Sequence, residues 1–188
     1  MENAWWRLRG RFRRTTVDSA VADLAGGSEH RRSNAAIWVW ARGRDGFSAA
    51  DRERLIEALE PIATGDGDPV AHAQATTALV ALGAEAAVEL ALAALRDQRG
   101  EVRHIVAAQI GPTGDPRVVD ALVALLDDAD GFVREGATIG LERQGDPGAL
   151  APLRAMVRRE RRDVVAKAGA KRAIRAFEKR READERDR

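Results

Sequence analysis

The chain contains no cysteine. That excludes disulfides, thiolate metal sites and a cysteine nucleophile, and it fits a reducing compartment. Tyrosine is absent too, and four Phe and four Trp are the only aromatics of the 188 residues. Histidine is scarce: His30, His72 and His104 stand alone, and no His-Glu dipeptide occurs. Three scattered imidazoles do not supply the paired ligands of a dinuclear centre. No metal and no cofactor are therefore expected. No apolar run reaches the roughly eighteen residues of a membrane span, and the first residues lack the apolar core of a secretory leader. A soluble, cytoplasmic protein is the expectation. Catalytic signatures are missing as well. There is no G-x-S-x-G, no G-x-x-x-x-G-K-[ST], no G-x-G-x-x-G and no evident Ser-His-Asp set. The acidic pairs, such as Asp127-Asp128, fall in turns. No catalytic residue is assigned, and the chain reads as a non-enzyme.

What is present is small and apolar. Ala, Leu and Val dominate the 45% hydrophobic fraction. Ala and Leu are strong helix formers, and small side chains let helices approach closely. The net charge is +1 but unevenly spread. Residues 1–14 carry five Arg and one Glu, a net of +4, and residues 154–188 carry fourteen basic and seven acidic residues, a net of +7. The body, 15–153, therefore sums to 1 − 4 − 7 = −10. Such asymmetry speaks to partners and not to fold.

Internal repetition is the strongest signal. Gly83, Gly114 and Gly145 stand 31 apart, as do Val102, Val133 and Val164. Arg103 and Arg134 follow the first two of those Val residues, and Asp97 and Asp128 keep the same step six residues earlier. The turn Gly-Asp-Pro recurs at 114–116 and 145–147. Each unit reads as two helices. In 115–143, Asp115 caps the first helix and Pro116 sits in its first turn, where a missing N–H costs nothing. Val119, Leu122, Val123, Leu125 and Leu126 then form an apolar stripe. Asp127, Asp128, Asp130 and Gly131 break it. A second helix starts near Phe132, buries Val133, Ala137, Thr138 and Leu141, and ends on Gly145. The last unit places Leu150, Leu153, Met156 and Val157 on its first helix, then Val164, Ala168 and Ile174 on its second. Looser versions upstream bring the total to about five antiparallel helix pairs, the second one longer. No pair buries its apolar faces alone, so stability is a sum of neighbour interfaces.

An Asp in the inter-helix turn, an aliphatic-Arg pair opening the second helix, and a closing Gly-Asp turn resemble HEAT repeats, and the short period resembles the phycobilisome-lyase-like subclass. The resemblance covers 68–165 well and 15–67 weakly. It implies an all-α, right-handed α-solenoid over residues 15–178, between a basic Trp/Arg-rich segment (1–14) and a charged tail (179–188). It implies that Asp97, Arg103, Asp128 and Arg134 build a structural ladder of hydrogen bonds between repeats. Arg159 and Val165 replace the ladder pair in the last unit, which therefore reads as a cap. The resemblance further implies a scaffold that binds a protein partner on the face lined by second helices. Bilin-lyase-like or other enzymes on the same stack are the weaker alternative, because fold does not imply function.

On that face, taking Leu79, Ile110 and Leu141 as the core column leaves Asn34, Gln74, His104 and Glu135 as a polar strip. Trp38 and Trp40 are two apart and cannot share one buried stripe. Trp38 is taken as the contact residue, since exposed Trp is a common anchor. The second candidate is the N-terminus. Trp5, Leu8 and Phe12 share one helical face, with Trp6, Arg7, Arg9, Arg11 and Arg13 around it. That pattern suits a membrane surface or nucleic-acid phosphates, and it equally suits a cap over the first repeat. A monomer or weak dimer is expected.

Overall fold

The structure, a computed structural model, describes residues 14–160 and 163–186. Among them are ten α-helices and no strand. In chain order they are α1 (Val17–Gly26), α2 (Glu29–Arg42), α3 (Ala49–Thr64), α4 (Pro69–Leu82), α5 (Ala87–Ala94), α6 (Gly100–Gln109), α7 (Pro116–Ala124), α8 (Gly131–Gln144), α9 (Leu150–Arg159) and α10 (Val164–Arg186), and α1 packs on α2, α3 on α4, α7 on α8 and α9 on α10. No described helix is long and apolar enough to cross a membrane.

Local chemistry sets the helix ends. Thr16 forms a capping box with Ser19, and Asp68, Asp115 and Asp130 each accept a backbone N–H of their helix's first turn, at 2.7–2.9 Å. Each satisfies a donor that the helix leaves orphaned. Pro69 and Pro116 occupy first-turn positions. The periodic glycines hold φ of +73°, +72° and +74° at Gly83, Gly114 and Gly145. This is the left-handed region that side chains avoid, which is why the 31-residue step was so clean.

The chain divides into two compact units, the first running to Leu90 and the second from Ala91. In the first, Leu24, Trp38, Val39, Leu55, Leu59 and Leu79 form the core. Helix α4 packs on both α2 and α3. It is buried at Ala71, at Leu82 and at every residue from Ala73 to Leu79.

In the second unit, second helices lie side by side, α6 on α8 and α8 on α10. Small residues set the spacing. A Cβ on Gly140 would collide with the Ala107 carbonyl and reach 2.9 Å from Leu122 Cδ2, and one on Gly136 would lie 2.8 Å from the His104 carbonyl oxygen. Polar bonds fasten the same seam. Arg143 donates to the Gln109 carbonyl at 3.1 Å, and Gln144 donates to the Gly111 carbonyl at 2.6 Å while accepting from the Thr113 amide at 3.2 Å.

Two expectations are corrected here. On α7 the fully buried positions are Val118 and Leu122, while Val119 and Val123 are half-buried. In the last pair, Val164 is 74% exposed and Ala168 is exposed, and the core is built by Ala166, Ala170, Ala173 and Phe177. The step there is 33 and not 31, so Ala166 occupies the place of Val133.

The ladder exists and extends further than expected. Arg103 donates to both Asp128 carboxylate oxygens, at 2.8 and 3.0 Å, and to the carbonyls of Asp97 and Gln98, at 2.7 and 3.0 Å. Arg134 repeats this on the carbonyls of Asp128 and Ala129, at 2.8 and 3.0 Å, and pairs with Asp163. Asp97 itself binds Arg99, at 2.8 Å. The last repeat was expected to lack the ladder. Instead Asp163 receives Arg134, and Lys167, 33 after Arg134, donates to the Glu160 carbonyl at 2.9 Å. Burial pushes the Asp128 carboxyl up, but the Arg103 bond, the Asp130 amide and the charges of Arg103 and Arg134 outweigh it and hold the group below its ordinary range. The hydrogen bond to Asp128 raises Arg103 against the opposing effect of burial.

Candidate partner-binding face

The contacts of α8 divide its circumference. Gly136 and Gly140 meet α6, while Thr138 meets Gly169 of α10 and Glu142 bonds Arg172 of α10 at 3.1 Å. Phe132, Glu135 and Ile139 remain between those flanks, at i, i+3 and i+7 spacing, so they share one face. Their equivalents on α6, 31 residues earlier, are Glu101, His104 and Ala108. Those on α10, 33 residues later, are Val165, Ala168 and Arg172. Three adjacent helices thus present a nine-residue grid, each row of which crosses all three.

The grid is apolar at its helix-start row. Phe132 is 71% exposed and Val165 59%, and with Val164 they are the large exposed hydrophobics among the described residues. Phe132 is fixed from two sides. Its amide donates to Asp130 Oδ1 at 2.9 Å, and its carbonyl lies 2.7 Å from His104 Nδ1. A carbonyl only accepts, so Nδ1 carries the proton of this contact. The two rings meet edge-on, with centroids 6.1 Å apart. Glu135 and Ile139 are half-buried.

His104 on α6 and Glu135 on α8 stand in one row of the grid, both half-buried. Others do not. Trp38 is 1% exposed and packs edge-on against Phe47 at 5.3 Å, with the Arg42 guanidinium 4.6 Å from its ring. Of the two Trp residues it is the core member, and Trp40 is half-buried. Gln74 is 5% exposed, because α4 is enclosed by α2 and α3. Asn34 is half-buried, with Nδ2 2.9 Å from His30 Nε2. These three belong to the first unit. Trp5, Trp6, Arg7, Arg9, Arg11 and Arg13 lie outside the described residues. Phe132 and Val165 were missed. The signal was available: Phe132 directly precedes the buried Val133, and neighbours on a helix point about 100° apart.

The first unit holds a separate cleft of about 450 Å³ lined by Leu24, Arg32, Glu57, Pro61 and Ile62, among others. The Nε of Arg32 is buried there without a hydrogen-bond partner. No sequence-assigned site residue lines it. Among the described residues no group of three His, Cys, Asp or Glu is placed to hold a metal ion.

A family model described as HEAT repeats matches residues 56–140 and 88–175. The two matches together cover 56–175, which is 120 of the 188 residues. No curated protein matches the chain.

Proposed function

The chain belongs to the HEAT-repeat family, and from that premise we propose that it is a protein-interaction scaffold whose partner docks on the grid formed by α6, α8 and α10. One observation supports this above the rest: an aromatic ring left 71% exposed while its backbone is pinned to Asp130 and His104. Covering a Phe side chain yields about 1.5–3 kcal/mol, and a backbone already held in place loses little entropy on binding. The partner places an apolar side chain over Phe132 and Val165, and it meets Glu135 and the His104 ring beside them. The family's role as a scaffold supports the coarse reading, and the exposed row supports this face as the docking surface.

The test is affinity capture from native extract with wild type, Phe132→Ser and a chain lacking residues 1–14. The expected result is a protein retained by wild type and by the truncated chain but lost with Phe132→Ser. Capture that survives Phe132→Ser and disappears with residues 1–14 would move the function to the N-terminal segment.

A further inference from the structure

The outward surface of α10 is not neutral, and its charges are sorted. The helix carries eight basic residues among those described. Five are engaged: Lys167 on the Glu160 carbonyl, Arg172 on Glu142, Arg180 on the Glu142 carbonyl, Arg181 with Glu185, and Arg186 on the Glu182 carbonyl. The other three, Lys171, Arg175 and Lys179, are exposed and have no partner within the described residues. They stand at i, i+4 and i+8, so they form one row. Val164 and Ala168, both exposed, continue that row to the start of the helix. Ala168 belongs to the grid as well.

We infer that the protein segment docking on this face is acidic, with an apolar anchor over Phe132 and Val165 and carboxylates along Lys171, Arg175 and Lys179. This rests on the docking reading for its anchor alone. Unpaired cations in register along one helix face are complementary to carboxylates at the same spacing on a partner helix or extended segment. A phosphate polymer fits less well. Three cations release few counterions.

The chain offers an unusually direct test, because its only three Lys are Lys167, Lys171 and Lys179. The probe is a fluorescein-labelled amphipathic peptide of about eighteen residues built from Leu and Glu, a length that lets one helix span the face. Its control carries Lys in place of Glu with the same Leu pattern. Anisotropy with the full chain should show binding of the Glu peptide alone. The triple variant Lys171→Gln, Arg175→Gln, Lys179→Gln, checked for an unchanged melt, should weaken it about tenfold, as three modest exposed ion pairs imply. Carbodiimide coupling of the bound Glu peptide should mark Lys171 and Lys179 and spare Lys167. Equal binding of both peptides, an unaffected triple variant, or displacement of the Glu peptide by oligo-dT or phosphatidylserine vesicles at lower concentration would overturn the inference. Phe132→Ser separates the two readings. Loss with Phe132→Ser but not with the triple variant keeps the docking face and removes the acidic partner. Loss with the triple variant but not with Phe132→Ser removes the docking face.

Discussion

Replacing Arg103 by Leu should reveal how much of the second unit's stability runs through the ladder. The change removes four hydrogen bonds at once, two to the Asp128 carboxylate and two to the carbonyls of Asp97 and Gln98. Asp128 keeps the Asp130 amide at 2.9 Å, but its side chain is only 9% exposed, so water does not replace the guanidinium. Removing one partner of a buried pair costs about 3–5 kcal/mol. The Arg103 side chain is 17% exposed, which puts the expected loss near the lower end, about 3 kcal/mol. Asp128→Leu should cost somewhat less, about 2 kcal/mol, because Arg103 retains two carbonyl acceptors. The double substitution removes both charges, so its loss should fall short of the sum by about 1.5 kcal/mol or more. Urea denaturation of the four proteins at neutral pH measures this. A coupling below about 0.5 kcal/mol would refute the reasoning and reduce the ladder to independent surface contacts. pH gives a second reading. The folded Asp128 carboxyl titrates below its ordinary range, so its contribution is complete above about pH 4 and disappears as pH falls through the folded value. Asp128→Asn should therefore cost stability at neutral pH and progressively less in acid.

Other expectations follow from packing. Gly140→Ala should destabilise by about 1–3 kcal/mol, since the obstacle is the Ala107 backbone, and a denaturant midpoint at or above that of wild type would contradict the close approach. Leu122→Ala, at a fully buried site, should cost about 2–5 kcal/mol in the same assay, and no loss would sink the repeat register. Val164→Ser, by contrast, should change stability by less than about 0.5 kcal/mol. A larger loss would mean that the last pair keeps the 31-residue step after all.

The helix pairs were readable from the sequence because their signals are local. Gly at positive φ, Asp before Pro and an aliphatic-Arg pair each do one job within a few residues, and the 31-residue spacing repeats those jobs. The last repeat was misread for the same reason. Counting residues put Val164 in the core and removed the ladder, whereas the 33-residue step to the last repeat moves the whole pattern to Ala166 and Lys167. Trp38 and Gln74 were misplaced because exposure on α4 and α2 depends on how many helices surround them, which periodicity does not encode. His104 and Glu135 fall in one row of the grid because α6 and α8 keep the same amphipathic period. Phe132 escaped notice because an aromatic near a helix start looks like core until its neighbour is shown to fill that role.

The glycine seam between α6 and α8 has a consequence for selectivity. Side chains normally act as shims between helices, and a shim of another size resets the gap. Here the gap is set by main chain against main chain, at Gly136 on the His104 carbonyl and Gly140 on the Ala107 carbonyl. The pitch between His104 and Glu135, and between Glu101 and Phe132, is thus a fixed gauge. A partner must match that gauge as it arrives. Changes of ligand preference should arise by altering the teeth of the comb and not their spacing.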